Sequence, residues 1–467
     1  MTDSASASAS TSRAVLLRHY LGSRWRFTHL HGVRLQRYQD RLARSAVRDA
    51  ADGSPYYAAR FAGHSLSDWR HLPTTDKQSM MANFTDLNTR GVPLDIAMET
   101  ALRAERERDF RPHVPCTDLT VGLSSGTSGH RGLFLVSPGE RAAWAGAMLA
   151  RTLPGPLLRP GGWRVAFFHR SGSNLYESLA SRALSFRFFD LMTPLDQAVA
   201  HLNEFSPHLL VAPPTMLSLL AREKREGRLN VSPQKIISVA EVLESQDAAV
   251  ISDAFQVPCV HQIYQCTEGL LAVTCSQGTL HIQEDIVAVQ TESLVEGIDP
   301  AEPGERRVTP IVTDLWRRVQ PIIRYRMGDV LTLAPDNELV CPCGSRFRRV
   351  VRVEGRCDDM VLFPDTGNLA HLRPFFPDTL RRAVLLADAG IIDYRIVQEN
   401  PGTLRVHLAL GLESAVETTV AKVRASVLQT LLSYGCRAEQ LSVVIGLPDE
   451  PLSRKRRRVR RAWGKRA

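Results

Sequence analysis

Early in the chain, residues 123–132 read LSSGTSGHRG, with three glycines and four hydroxyl side chains: Ser124, Ser125, Thr127 and Ser128. Glycine lets a backbone approach an anion closely and pass through positive φ. Hydroxyls beside a run of amides make a nest for phosphate oxygens. The stretch is not a P-loop, because His130-Arg131-Gly132 stands where Lys and Ser/Thr must follow the last glycine. Alone it reads equally as a phosphate cradle (Ser124 to Gly129, with Gly126 between) or as a flexible Gly/Ser turn.

Four further stretches carry chemistry-bearing residues in order. VAEVL (239–243) ends a strand and contains Ala240 and Glu241. IYQCTEG (263–269) places an aromatic ring, Tyr264, beside Thr267 and Glu268 at a strand end. IIRYRMGDV (322–330) sets Asp329 after two arginines, and VEGRCDD (353–359) holds Arg356 and Asp358 at an expected domain boundary. Taken singly, Tyr264 reads as strand core, Glu268 as a solvated carboxylate and Asp329 as a turn residue. Their order along one chain is the informative feature.

These residues need a scaffold, and the pattern supplies one. Residues 14–50 repeat apolar positions at three and four, the signature of helices. From about 118, short apolar runs alternate with amphipathic stretches: WRVAFFH, a helix near 175–184, FRFFD, a helix near 194–204, HLLVA, a helix at 215–226, KIISVA, a helix at 244–255, and VHQIY. Strands separated by helices imply crossovers and a mostly parallel, doubly wound sheet. Residues 279–353 turn strand-rich, and a smaller α+β module follows from about 357. The fold class expected is therefore α/β. It has a large N-terminal domain with a doubly wound sheet and a β-rich subdomain, then a small α+β C-terminal domain.

Bulk properties narrow the function. With 467 residues, 44% hydrophobic and 23% charged, the chain is an ordinary globular one of more than a single domain. No apolar run reaches the eighteen residues of a membrane span. MTDSASASASTSR lacks the apolar core of a signal peptide and reads as a disordered leader over 1–13, pointing to the cytoplasm. The net charge of +9 resides in residues 451–467, which hold 9 of the 58 basic residues and no acid, leaving 49 against 49 elsewhere. A neutral body argues against nucleic acid as the partner. The eight cysteines are too few for a disulfide framework. Cys341-Pro-Cys343-Gly344 supplies two thiolates in a tight turn, half of a structural zinc site; two buried thiols are the alternative.

LSSGTSG, AE, YQCTEG, RYRMGD, CPCG and GRCDD together resemble, in that order, the adenylate-forming (acyl-CoA synthetase-like) superfamily, in particular its phenylacetate-CoA ligase and F390 synthetase-like branch. The resemblance spans roughly residues 70–460. It implies ATP-dependent, AMP-forming activation of a carboxylic acid and transfer of the acyl group to coenzyme A or an acyl carrier protein. It assigns the loop 124–129 to the β- and γ-phosphates, Thr267 to the α-phosphate and Glu268 to Mg²⁺. Tyr264 and the backbone of Ala240 and Glu241 flank the adenine, Asp329 takes the ribose hydroxyls, and Arg356 adds charge nearby. It divides the chain into an adenylation core (14–356), a small mobile C-terminal domain (357–450) hinged at Asp358, and a basic tail (451–467) whose Lys455 is the catalytic lysine. Cys275 and His281 follow the Thr-Glu pair as in members of that branch, completing a Cys₃His zinc set with Cys341 and Cys343. An aromatic acid, such as a phenylacetate or hydroxybenzoate, is the substrate class implied. Phe168-His169 falls where related enzymes line the acyl pocket, although a core phenylalanine explains it equally. Two alternatives remain: an F390 synthetase-like adenylyltransferase, and a non-catalytic binding protein with a basic tail. The departures are Gly129-His130-Arg131-Gly132 in place of Gly-x-Pro-Lys, Gln265 where glycine is common, and an atypically arginine-rich sequence around Lys455.

Overall fold

The computed structural model describes the chain except residues 1, 108, 110–112, 124–131, 170–182, 294–304, 336–339, 357–359, 376, 412–414, 450–456 and 464–467. The side chains of 2–11, Arg356, Pro374 and Asp378 also lie outside the description. The chain forms two compact units. The first comprises Met1–Thr291, Pro310–Met327 and Asp336–Val351; the second comprises Glu292–Thr309, Gly328–Pro335 and Arg352–Ala467.

The first unit is built on parallel strands in the spatial order Leu184–Asp190, Trp163–His169, Leu209–Ala212, Lys235–Ser238, His261–Cys266. Gly269–Thr274 and Leu280–Ile282 continue the sheet antiparallel. The central parallel strands Leu209–Ala212 and Lys235–Ser238 are buried on both faces because both are covered. Val165, Phe167, Leu209, Val211 and Ile237 pack with Tyr20, Ala145 and Leu149, from helices Thr2–His29 and Pro138–Thr152. Ala166, Phe168, Leu210, Ala212 and Ile236 pack with Leu202, Leu217, Leu220 and Ile251, from the crossover helices Leu195–Phe205, Pro214–Arg225 and Ser245–Phe255. Alternate residues of one strand therefore serve opposite layers, which is the doubly wound α/β arrangement expected.

Two features differ from expectation. Helix Thr2–His29 begins inside the segment 1–13 that reads as a disordered leader. Alanine has the highest helix propensity, so low complexity alone does not exclude a helix. That helix packs closely on Pro138–Thr152: a Cβ at Gly146 would collide with the Leu16 carbonyl oxygen. Of the two readings left open for Phe168, core packing is the one seen: it is fully buried and stacked on Phe189, with centroids 4.7 Å apart. The helix expected near 175–184 falls largely outside the described residues, and Leu184 already starts a strand.

A buried charge cluster fixes the two covering helices to the sheet. Asp285, fully buried, accepts from Arg151 Nη2 at 2.9 Å and from Arg26 Nε at 3.0 Å. Arg151 also donates to Gln283 Oε1 and to the Ser23 carbonyl, both at 2.6 Å. With every group satisfied, such a cluster specifies one arrangement.

The second unit contains a four-stranded sheet in the order Gln440–Ile445, Thr403–Leu410, Ile391–Asn400, Val459–Arg461. Helices Pro377–Leu385 and Val416–Ser433 contribute Leu380, Val384, Val423 and Val427 to its core. The stretch that reads as a basic tail thus supplies an edge strand. Val459 is buried, and Arg458 Nε pairs with Asp393 at 3.0 Å. No helix among the described residues is long and apolar enough to cross a membrane.

Candidate active site and metal centre

His261–Cys266 is the last parallel strand of the first unit. It reverses through Thr267 and Glu268 into Gly269–Thr274, with Cys266 opposite Gly269. A bulge between Tyr264 and Gln265 adds local twist before the turn. The Glu268 side chain is largely buried, and Tyr264 and Thr267 are half-buried. A carboxylate held in such a place exceeds the demands of a simple surface turn. Among the described residues it has no cluster of other acidic or histidine ligands around it. That donor set suits Mg²⁺, which keeps most of its waters and takes one or two carboxylates together with substrate phosphates.

Residues that sequence reasoning missed surround this turn. Arg317 Nη1 donates to the Thr267 carbonyl at 2.6 Å. Its Nη2 reaches the Leu135 carbonyl at 3.3 Å and Gln320 Oε1 at 3.2 Å. Burial, with the Glu268 carboxylate beside it, pushes the Tyr325 hydroxyl far above its ordinary range. No signal in DLWRRVQP marks Arg317 as different from its neighbour Arg318.

The adenine-side motif is a strained turn. Strand Lys235–Ser238 leads to Ala240 at φ +67°, and the Glu241 amide closes a three-residue turn on the Val239 carbonyl at 2.9 Å. An alanine at positive φ is strained, and such strain concentrates at functional sites. Glu241 does not leave its carboxylate free: Oε2 accepts from Thr215 Oγ1 at 2.7 Å and from its amide at 3.3 Å, holding the start of helix Pro214–Arg225. Ala240→Gly is expected to leave urea stability within about 1 kcal/mol, because relief of strain offsets added chain entropy. Ala240→Val should cost about 1–2 kcal/mol more, since a β-branched residue fits left-handed backbone poorly.

The Gly/Ser/Thr loop joins an antiparallel hairpin, Thr120–Leu123 with Leu133–Val136, in which Leu123 pairs with Leu133. Ser124, Ser125, Gly126, Thr127, Ser128 and Gly129 themselves lie outside the described residues, as do Asp358, Lys455 and the Arg356 side chain. Asp329 opens strand Asp329–Leu333 in the second unit. Ala240, Glu241, Tyr264, Thr267 and Glu268 all belong to the first.

The four proposed zinc ligands do come together. One donor atom from each of Cys275, His281, Cys341 and Cys343 lies within 4.8 Å of all the others. Two thiolates bound tetrahedrally at 2.3 Å should stand about 3.8 Å apart, and a thiolate and an imidazole nitrogen about 3.6 Å. Cys275 Sγ and Cys341 Sγ are 3.8 Å apart, and Cys343 Sγ and His281 Nε2 are 3.6 Å apart. His281 Nδ1 lies 2.9 Å from the Phe347 carbonyl, which can only accept, so Nδ1 carries the proton and Nε2 presents its lone pair. Burial lowers the His281 pKa, keeping the imidazole neutral as a ligand must be. Backbone amides of Gln277 and Ser345 donate to Cys275 Sγ and Cys343 Sγ at 3.3 and 3.5 Å. Burial pushes the Cys343 thiol up to about 12, so without a cation the cluster retains protons that a divalent metal would displace. The donor set, spacing and supporting hydrogen bonds fit a closed tetrahedral site.

No protein-family model matches the sequence, and no curated protein matches it. Solved structures do. Over 93% of this chain and 90% of the other, the chain resembles 2-hydroxyisobutyryl-CoA ligase in the postadenylation state in complex with 2-HIB-AMP, with a TM-score of 0.66 and 18% identity. The same ligase with 2-HIB-AMP and CoA in the thioesterification state matches with a TM-score of 0.52 and 20% identity, over 93% and 91% of the two chains. Anthranilate CoA ligase AuaEII in complex with anthranoyl-AMP matches with a TM-score of 0.50 and 12% identity, over 72% and 66%. The chain has the fold of the adenylate-forming acyl-CoA ligases.

Proposed function

We propose that this protein is an ATP-dependent, AMP-forming ligase that activates a carboxylic acid as its acyl-adenylate and passes the acyl group to a thiol. The observation that carries this is a buried carboxylate, Glu268, beside Thr267 in a turn at the end of a parallel strand, on a fold shared with ligases solved with acyl-adenylates. The order of the remaining motifs supports the phenylacetate-CoA ligase-like branch and hence an aromatic acid. The acceptor is coenzyme A or the phosphopantetheine of an acyl carrier protein, whose phosphate and acidic surface the arginine-rich C-terminus suits.

In this reading the loop 124–129 and Thr267 hold the triphosphate, where charge crowds as the carboxylate oxygen attacks the α-phosphorus and pyrophosphate leaves. Glu268 would hold Mg²⁺, which when bound offsets part of that charge. Tyr264 and the Ala240–Glu241 backbone bound the adenine, Asp329 accepts the ribose hydroxyls, and Arg356 lies near ribose and phosphate. Lys455 bridges carboxylate and α-phosphate, and Asp358 is the hinge about which the C-terminal domain turns for thioester formation. Cys275, His281, Cys341 and Cys343 hold a structural Zn²⁺ with no part in the chemistry. The test is ATP–pyrophosphate exchange across a panel of aryl and aliphatic acids. Exchange that depends on an aryl acid supports the reading; exchange with no acid present, or with none of the panel, overturns it.

A further inference from the structure

Helix Gly32–Gly53 lies against the first unit by one face, which buries Leu35, Gln39, Ala43, Ala46, Val47 and Ala50. Gln39 Nε2 donates to the Glu284 carbonyl at 2.9 Å from that face. The opposite face carries Arg34, Arg37, Arg41, Arg44 and Arg48, all five exposed. Spaced three and four apart, they fall within about 80° of one another around the axis and form a row about 21 Å long.

A solvated helix face ordinarily mixes both signs, because like charges three and four apart repel. Here the carboxylates of the helix turn elsewhere. Asp40 accepts from Trp69 Nε1 at 3.0 Å and pairs with Arg70, and Asp49 pairs with Arg318 at 2.7 Å. Among the described residues none of the five arginines has an ion pair. Arg44 Nε donates to the Ser67 carbonyl at 3.1 Å, and the Arg41 guanidinium lies 5.9 Å from the Tyr38 ring centroid. Neither contact neutralises a charge. Arg37, Arg41, Arg44 and Arg48, with Asp40, line an open hollow of about 360 Å³.

The row lies on the approach to the candidate site. Arg70, the partner of Asp40, precedes Thr75 by five residues, a span of at most about 18 Å. Thr75 bridges to Tyr325, whose hydroxyl stands beside Glu268. A phosphopantetheine arm, with about fourteen atoms from phosphorus to sulfur, extends over a comparable distance.

The charge of the rest of the chain narrows the partner. Taking away these five arginines and the nine basic residues of 451–467 leaves 44 of the 58 basic residues against 49 acidic ones. A nucleic-acid duplex or a membrane covers a broad area and would meet that net acidic remainder. An acidic helix of a small protein meets the row alone. We propose that the arginine face of Gly32–Gly53 docks the acidic surface of an acyl carrier protein, whose phosphopantetheine thiol accepts the acyl group. This rests on the ligase reading given above and takes the carrier protein, rather than free coenzyme A, as the acceptor. In the transfer the thiol sulfur bonds to the acyl carbon, the carbon–oxygen bond to AMP breaks, and the thiol proton passes to water. Exposed charge pairs of this kind govern encounter and orientation, and salt weakens them.

The test follows thioester formation by the full-length protein, with an acid that supports pyrophosphate exchange. Its two acceptors are a phosphopantetheinylated acyl carrier protein of a dissociated fatty-acid synthase and free coenzyme A. The triple variant Arg37→Glu, Arg41→Glu, Arg48→Glu should lower kcat/KM for the carrier protein about tenfold or more. Exchange and transfer to coenzyme A should stay within about twofold of wild type, since the row touches neither nucleotide nor acid. Changing three carboxylates of the carrier's acidic helix to lysine should restore transfer by the variant, which a purely structural role for the arginines would not allow. Unchanged transfer to the carrier in the triple variant, equal loss with both acceptors, or a wild type that uses coenzyme A but not the carrier overturns the docking face. Binding of a short DNA duplex or of phosphatidylglycerol vesicles that the triple variant loses, with carrier transfer unchanged, assigns the row to that partner instead. Absence of exchange with every acid overturns the ligase reading, and the docking face with it.

Discussion

Lys455→Ala is expected to slow acid-dependent pyrophosphate exchange about 100-fold or more, while acyl-adenylate supplied from outside is still consumed. A unit charge about 4 Å from an anion is worth on the order of 4 kcal/mol at the effective dielectric of a protein surface. Losing even most of one such interaction, about 3 kcal/mol, corresponds to about two powers of ten in rate. The two half-reactions separate because the lysine is needed only where carboxylate and α-phosphate must be brought together. The described residues that follow it are built into a sheet. Four residues on, Val459 pairs with Ile396 in the sheet, and the Arg458 carbonyl accepts from the Ile396 amide at 2.6 Å. Arg457→Ala, a neighbouring loss of equal charge, should leave exchange within about threefold of wild type. Normal exchange by Lys455→Ala would remove the lysine from its role and leave Lys465 as the other lysine of the C-terminal stretch.

Replacing Cys341 and Cys343 together by serine should reduce bound zinc from about one atom per chain to near zero, and lower stability by about 4 kcal/mol. The estimate follows from cross-link entropy: tying Cys275 to Cys341 closes a loop of 66 residues, and a bridge of that span removes roughly 4 kcal/mol of freedom from the unfolded chain. Metal analysis of purified protein and urea unfolding measure the two quantities. A chelator should lower the midpoint of the wild type towards that of the variant and leave the variant unmoved. Cys259→Ser is the control. Its thiol lies close to the same hairpin, 3.6 Å from a Cβ built on Gly278, but outside the four-ligand cluster, so zinc content should not change. Full zinc content in the double variant would end the assignment.

Much of the scaffold was legible because its signals are local. HLLVA and KIISVA are short, mostly apolar runs whose strands are buried at every residue, as strands covered on both sides are, and each is followed by an amphipathic stretch of helical length. In the C-terminal module the sequence pattern predicts strands near 392–410 and a helix at 415–432, and the structure has strands Ile391–Asn400 and Thr403–Leu410 and helix Val416–Ser433. Cys341-x-Cys343 carries the spacing of half a metal site within three residues. Cys275 and His281 do not, since 66 residues separate Cys275 from its thiol partner, and it is the pairing of strand Arg349–Arg356 with Leu280–Ile282 that helps close the gap.

What local pattern does not carry is the division of labour among identical letters. Arg317 and Arg318 are adjacent and alike in sequence. One is buried against the Thr267 carbonyl, whereas the other is partly exposed and pairs with Asp49 at 2.7 Å. Arg458 stands in a run of basic residues, yet its Nε meets Asp393. The chain alone determined the α/β alternation, the ordered motifs and the cysteine turn, because periodicity, turn chemistry and ligand spacing act over a few residues. Tertiary structure decided which cations are buried, which loop backs onto the Thr267–Glu268 turn, and how two distant pairs of ligands meet. Those outcomes depend on desolvation and on contacts between segments tens to hundreds of residues apart, and no short window of sequence contains them.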